Sequence, residues 1–265
     1  MSVTVCLEKI DAGSKTKKMA EEPVATESPV NIFVNDQYVI TLLATPQFQK
    51  ELALGWLFDE GVLDSLNEVR EVHLDQDDAN VVTKHPLDEE RLQTTGVSRL
   101  VTTACALSAK EFFRTIGRVG KLVKSNYEVE ACELSRMIGR LDEAKLFRAT
   151  GGVHAAALFD GKRLIAFAED VGRHNAVDKV VGIGLQSRAN FSRSVLVSSG
   201  RQPADMVLKA ARMGIPIVAS RAAPIRSGII AAEKTGITLV CFIRDRQMNV
   251  YTHPGRILTG DTGAS

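Results

Sequence analysis

The sequence predicts an α/β protein, α+β overall, in which a large α/β domain follows a smaller N-terminal α+β lobe. Two observations carry that reading. Strand and helix signals alternate in β-α-β-α-β order from Ser194 to Ile243, whereas the stretch from Val30 to Lys84 offers several strands around one helix. With 265 residues, 45% of them apolar, the chain can bury a substantial core. The expected divisions are a structureless tail over 1–22, the small lobe over 23–96, the large domain over 97–258 and a short tail over 259–265.

Residues Met1 to Glu22 are rich in Lys, Glu and small residues without sustained periodicity, hence the expected tail. From Val30 to Leu43, VNIFV and YVITLL flank an Asn35-Asp36 turn and predict a hairpin. Thr45 is the expected helix cap, with Pro46 in the first turn; Phe48, Leu52 and Trp56 recur at helical spacing until Gly61. Val69–Leu74 and Asn80–Lys84 supply two more short strands.

Leu100–Thr103 reads as a strand end, and Ser108 to Glu111 has capping-box spacing, so a helix is expected to begin near Ser108. Cys105 then precedes a helix N-terminus, where the partial positive charge favours a thiolate, the nucleophilic form of cysteine. Cys132 precedes an amphipathic run (Leu134, Met137, Ile138, Leu141) and Cys241 interrupts the apolar ITLVCFI, so both are expected as small core residues. The four cysteines are far apart, without metal or redox-pair spacing, and reduced thiols are the default.

The stretch TGGVHAAALFDGKRLIAFAEDVGRHNAVDK, Thr150 to Lys179, combines an ordinary hairpin with unusual flanks. Val153–Phe159 and Lys162–Ala168 are strands joined at Asp160-Gly161. His154 stands at one end, with Glu169, Asp170, Arg173, His174, Asn175, Asp178 and Lys179 crowded behind the other. Beyond it come strand Ser194–Ser198, helix Pro203–Met213, strand Ile215–Ala219, helix Ser227–Thr235 and strand Ile237–Ile243. Parallel strands of this kind gather ligands beyond their carboxyl ends. There the chain places Arg201, Arg221, Arg226, Arg244 and Arg246, guanidinium groups suited to a phosphorylated or other anionic ligand. MNVYTHP reads as a last strand with Tyr251 and His253 near its end. Neither a Walker loop nor a Rossmann glycine pattern is present, so ordinary ATP or NAD binding is not indicated. The formal charge of +1 argues against broad capture of nucleic acid. With neither a membrane-span pattern nor a secretory apolar core, a soluble, cytoplasmic protein is expected.

Taken together, TPQFQKELALGWLFDEG, the Cys105 loop, TGGVHAAALFD, EDVGRHNAVDK, SSGR and MNVYTHP resemble the FdhD family of formate dehydrogenase accessory sulfurtransferases, from about Glu22 to Ile257. The resemblance implies a cytidine-deaminase-like three-layer α/β/α fold for the larger domain. It also implies a sulfur carrier that takes sulfur from a cysteine desulfurase as a persulfide on Cys105. The acceptor it implies is the molybdenum cofactor, bis-molybdopterin guanine dinucleotide, destined for formate dehydrogenase. Its binding maps to Phe242, Ile243, Arg244, Asp245, Arg246 and Gln247, in keeping with the arginine-rich edge. Arg201, His154, Arg173, His174 and Asn175 are further candidates for holding it. Many family members carry C-x-x-C in the reactive loop; here the loop reads CALS, with Ser108 in the second position, so Cys105 would act alone. A non-catalytic chaperone that binds the molybdenum cofactor is therefore the main alternative. A cysteine hydrolase using Cys105 with His154 or His174 is another. A zinc deaminase lacks its ligands, since Ala156 stands where H-x-E needs Glu and no C-x-x-C follows, so neither zinc nor another bound metal is expected. A two-fold homodimer is the expected assembly.

Overall fold

The computed structural model describes residues 1–87 and 121–260. Cys105, Ser108, the strand expected at Leu100–Thr103 and the boundary near residue 96 lie outside the described residues.

The N-terminal residues depart from expectation. Instead of a tail they form an antiparallel hairpin of β1 (Ser2–Asp11) and β2 (Thr16–Ala25), paired from Ser2 with Ala25 to Asp11 with Thr16. Most of the hairpin is solvent-exposed, the apolar Val3, Val5, Ile10, Met19 and Val24 included, and backbone pairing does not require a buried apolar face.

Next come β3 (Ser28–Val34) and β4 (Gln37–Ala44), helix α1 (Gln49–Asp59), then β5 (Val69–Asp75) and β6 (Asp78–Thr83). The four strands make one sheet in the order β4-β3-β6-β5. Asn35 and Asp36 both adopt positive φ, 50° and 65°, as a tight hairpin turn requires. Helix α1 starts later than Thr45 predicts: Phe48, at φ 57°, is its N-cap and makes no side-chain cap bond. Thr45 is buried and bonded elsewhere, as described below.

The larger part begins with β7 (Val129–Glu130), α2 (Ala131–Gly139) and the short α3 (Lys145–Thr150). Then follow β8 (His154–Asp160), β9 (Arg163–Asp170), α4 (Arg173–Gln186), β10 (Ser194–Ser198) and α5 (Ala204–Met213). The chain continues through β11 (Ile217–Ser220), α6 (Arg226–Thr235), β12 (Thr238–Arg244) and β13 (Gln247–Val250). Finally β14 (Ile257–Leu258) pairs with β7. Six strands form the main sheet in the order β13-β12-β11-β10-β8-β9, and β10, β11 and β12 are parallel.

Strand alternation gives this sheet two buried faces. Ala155, Ala157, Phe159, Val195, Val197, Ile217 and Ala219 pack with Leu134, Met137 and Ile138 of α2. Ala156, Leu158, Leu196, Val218 and Leu239 face the other way, into a core shared with α4, α5 and α6. That second core also takes in Val30, Ile32, Val34, Ala79 and Val81 of the small sheet together with α1. The two sheets thus share one hydrophobic core, and α1 is buried from Leu52 through Asp59. The α1–α4 crossing is tight: a Cβ on Gly55 would lie 1.8 Å from the Asp178 carbonyl oxygen, and one on Gly182 would lie 1.9 Å from that of Glu51. Only glycine permits this approach.

No helix among the described residues is long and apolar enough to cross a membrane. Cys241 is buried in β12 as expected, and burial pushes its thiol up to about 12. Cys132 is exposed, contrary to the expected core position: it lies in the first turn of α2, whose buried positions are Leu134, Met137 and Ile138.

Candidate functional site

The topology brings one edge of the main sheet together from distant parts of the chain. Antiparallel pairing places the start of β8 beside the ends of β9 and β10, so His154 lies across from Asp170 and Ser198 across from Ala156. Helices α4, α5 and α6 follow the ends of β9, β10 and β11, so their N-termini point to this same edge.

A cleft of about 670 Å³ opens there, lined by Leu141, Phe147, Gly152, His154, Ser199 and Arg221 among others. One wall is α3. Glu169, at the end of β9, caps that helix by accepting from the backbone N–H groups of Leu146 (3.1 Å) and Phe147 (2.7 Å). Gly151, at φ 65°, ends the same helix and turns the chain towards His154.

His154 is half-buried. Burial pushes its imidazole below the ordinary histidine value, the electrostatic influence of Arg173 and His174 acts the same way, and Asp170 opposes them. Its Nδ1 lies 3.3 Å from Ser199 Oγ, which also accepts from Ala155 N–H at 3.0 Å. Arg173, the first residue of α4, packs its side chain against Gly200, and its Nε is buried without a partner among the described residues. His174 Nε2 is 2.7 Å from Asp205 Oδ2. Burial alone would raise the Asp205 carboxyl, but His174, with the Met206 N–H and Arg173, outweighs it and leaves the group below the ordinary carboxylate value.

Asn175 turns inward. Its Nδ2 donates to the Leu43 carbonyl (2.8 Å) and to Asp170 Oδ1 (3.0 Å). Asp170 is the centre of this dry hub: Oδ2 accepts from Thr45 N–H at 3.0 Å and from Lys179 Nζ at 2.5 Å, and Lys179 also donates to the Thr45 carbonyl at 2.8 Å. Burial lowers the Lys179 ammonium pKa, with Asp170 opposing. Immediately before Lys179 on α4, Asp178 accepts from Lys209 Nζ at 2.7 Å, and Lys209 also pairs with Glu60 at 3.3 Å.

The five edge arginines divide. Arg221 forks onto both oxygens of Asp142, at 2.6 and 2.7 Å, and also donates to the Ile138 carbonyl, so it braces α2 to the end of β11. Arg201, Arg226, Arg244 and Arg246 are exposed and have no carboxylate partner among the described residues. Residues Phe242 to Gln247 form the bulged β12–β13 connection, in which Phe242 (φ 54°) is 40% exposed and Ile243 is buried. Phe242 N–H donates to the Ala222 carbonyl, which ties this connection to the loop after β11. Asp245 and Arg246 line a second cleft with Cys132 and Arg136.

Of the predicted residues, then, His154 lines the cleft, Arg173 and His174 stand at the head of α4 beside it, and Asn175 turns away. Ser199, Asp142 and Asp205 complete the arrangement and were not singled out by sequence; the SSGR motif contained Ser199, while the two carboxylates carried no local signal. Among the described residues, no group of three His, Cys, Asp or Glu side chains is placed to hold a metal ion.

The model of the FdhD/NarQ family matches residues 25–258. A protein from Shouchella clausii named sulfur carrier protein FdhD is 37% identical over 244 residues, covering 89% of this chain and 90% of that protein. One of the same name from Methanothermobacter thermautotrophicus is 35% identical, covering 91% and 94%. The crystal structure of a formate dehydrogenase accessory protein from Desulfotalea psychrophila superposes with a TM-score of 0.79 at 30% identity, covering 97% of this chain and 99% of that one.

Proposed function

The chain belongs to the FdhD/NarQ family, and on that basis we propose that it is a sulfur carrier acting in the maturation of formate dehydrogenase. The observation that carries this reading is similarity to sulfur carrier proteins over about nine-tenths of the chain, joined to a cleft and exposed arginines at the carboxyl edge of a parallel sheet. In this reading the larger unit is a cytidine-deaminase-like three-layer α/β/α domain, supported by helices packed on both faces of the six-stranded sheet.

In the proposed reaction, the Cys105 thiolate attacks the outer sulfur of a cysteine desulfurase persulfide. The donor cysteine leaves as a thiolate, and Cys105 keeps the sulfur as its own persulfide. The acceptor is the molybdenum cofactor, bis-molybdopterin guanine dinucleotide, bound as substrate. Its phosphates suit Arg201, Arg244 and Arg246, which are exposed and free of carboxylates among the described residues, and Phe242 offers an exposed ring beside them. Arg173, whose buried Nε has no acceptor among the described residues, and His174 add donors from the head of α4, and His154 adds one from the start of β8. Asn175 serves this site by holding Asp170 and the end of β4, not by reaching the ligand. Arg221, engaged by Asp142, shapes the wall. The setting of the reaction is the cytoplasm, and the assembly a homodimer.

Intact-mass measurement after incubation with a cysteine desulfurase and cysteine tests the chemistry. The expected result is one added sulfur on the wild type, removed by reductant and missing from Cys105→Ala. Ser108, standing where many relatives have a second cysteine, favours a second reading, a cofactor-binding chaperone without sulfur chemistry. That reading takes over if a desulfurase shown to bind the protein loads no sulfur.

A further inference from the structure

We propose that Ser199 is a positioning residue that fixes His154 as its Nε2-protonated tautomer, so that the cleft is offered an uncharged N–H donor. The inference rests on reading this cleft as the ligand-binding edge. It begins with a count of protons and lone pairs.

Ser199 is held by its backbone, whose N–H donates to the Ala155 carbonyl at 2.9 Å. Its Oγ accepts the Ala155 N–H at 3.0 Å and lies 3.3 Å from His154 Nδ1, and no other described group bonds it. A serine hydroxyl has one proton to give. If Nδ1 carried the imidazole proton, both lone pairs of the oxygen would be taken by donors and the hydroxyl proton would have no acceptor among the described residues. If Nδ1 is bare, Ser199 donates to it and every group is used. The remaining ring proton then sits on Nε2, which bonds no described protein group, on a side chain that lines the cleft.

The surroundings favour a neutral ring: burial acts first, then the electrostatic influence of Arg173 and His174, against Asp170. A neutral donor can bind a phosphoryl or oxo oxygen beside Arg173 without adding a second fixed charge. The same tautomer cannot accept a proton at Nε2. In that tautomer the nitrogen turned to the cleft is a donor and not a base.

Long-range proton–nitrogen NMR of the full-length free protein at neutral pH reads the tautomer directly. The expected spectrum shows His154 with Nε2 protonated and Nδ1 bare. Ser199→Ala should lose that fixed state, giving mixed tautomers or an Nδ1-protonated ring, while Ser199→Thr should retain it. Unchanged signals from the other four histidines report that each variant is folded. An Nδ1-protonated ring in the wild type overturns the proposal, as does an unchanged tautomer in Ser199→Ala; a wild-type spectrum decides even if the alanine variant does not fold. Because no ligand is present, failure of cofactor binding with the Nε2-protonated ring intact would refute the functional reading and leave this one standing.

Discussion

Helix α4 carries polar residues into two environments. At its first turn, Arg173 and His174 are half-buried, border the cleft and meet Gly200 and Asp205. Further along, Asn175, Asp178 and Lys179 are buried and bond to Leu43, Thr45, Asp170 and Lys209. One eight-residue motif, GRHNAVDK, therefore contributes to the edge beside the cleft and to an internal joint that holds the small sheet to the large one. Polar groups at the water-exposed end can be left free for a ligand at little cost. Those inside depend on protein partners, because water cannot replace a missing one; Asp178 meets Lys209 through Oδ1, while its buried Oδ2 has no partner among the described residues.

The contrast is tested most severely by Lys179→Met, which strands the buried Asp170 carboxylate. Urea unfolding should show a loss of about 3–5 kcal/mol, and a loss below about 1 kcal/mol would mean that Asp170 finds another partner. Gly182→Ala attacks the same joint through packing, since the new methyl would meet the Glu51 carbonyl oxygen; thermal unfolding should report a loss of about 1–3 kcal/mol.

Asp59→Asn sharpens the comparison through pH. Burial first, with Asp178 and Glu60 also raising it and Lys209 opposing, holds the Asp59 carboxyl well above its ordinary value of 3.8, so the folded protein keeps this group protonated where the unfolded chain ionises. Such a group contributes stability that is complete below the ordinary value and is lost as pH rises towards the folded one. Asparagine cannot ionise. The stability of the variant relative to wild type should thus climb with pH above about 4, by up to ~1.4 kcal/mol per unit while Asp59 stays protonated in the fold. A flat difference across pH would show an ionised Asp59. At the outer edge, Arg244→Ala should shift stability by no more than about 0.5 kcal/mol, yet weaken GDP, used as a probe of the guanine nucleotide portion of the proposed cofactor, by about tenfold in calorimetry. A large stability loss with unchanged GDP affinity would reverse the roles given to the two regions.

The strands and helices of the larger part were legible because each has its own period and punctuation: Asp160-Gly161 between alternating strands, and glycines Gly214 and Gly236 at positive φ ending α5 and α6. Thr45 was misread for a physical reason. Its hydroxyl accepts from Val171 N–H, a residue 126 positions away, and no local pattern competes with a cap signal for that role. The first hairpin was missed because its strands lean on pairing more than on an apolar face. Cys132 was placed in the core by its neighbours' periodicity, although its own position in α2 points outward.

By itself the sequence determined the order of elements from β8 to β12, the shared-edge placement of the arginines and the family to which the chain belongs, since these depend on local periodicity and on motifs read in order. Tertiary structure alone decided which polar residues are free. Arg221 and Arg201 follow consecutive strands of one sheet and look alike in the sequence, but Asp142 lies within reach of only the first. Asn175 and His174 are adjacent in the chain, yet successive helical residues point about 100° apart, so one enters a dry joint and the other meets Asp205 near the cleft. Whether a polar side chain holds the protein together or waits for a ligand is set by the groups that folding brings to it.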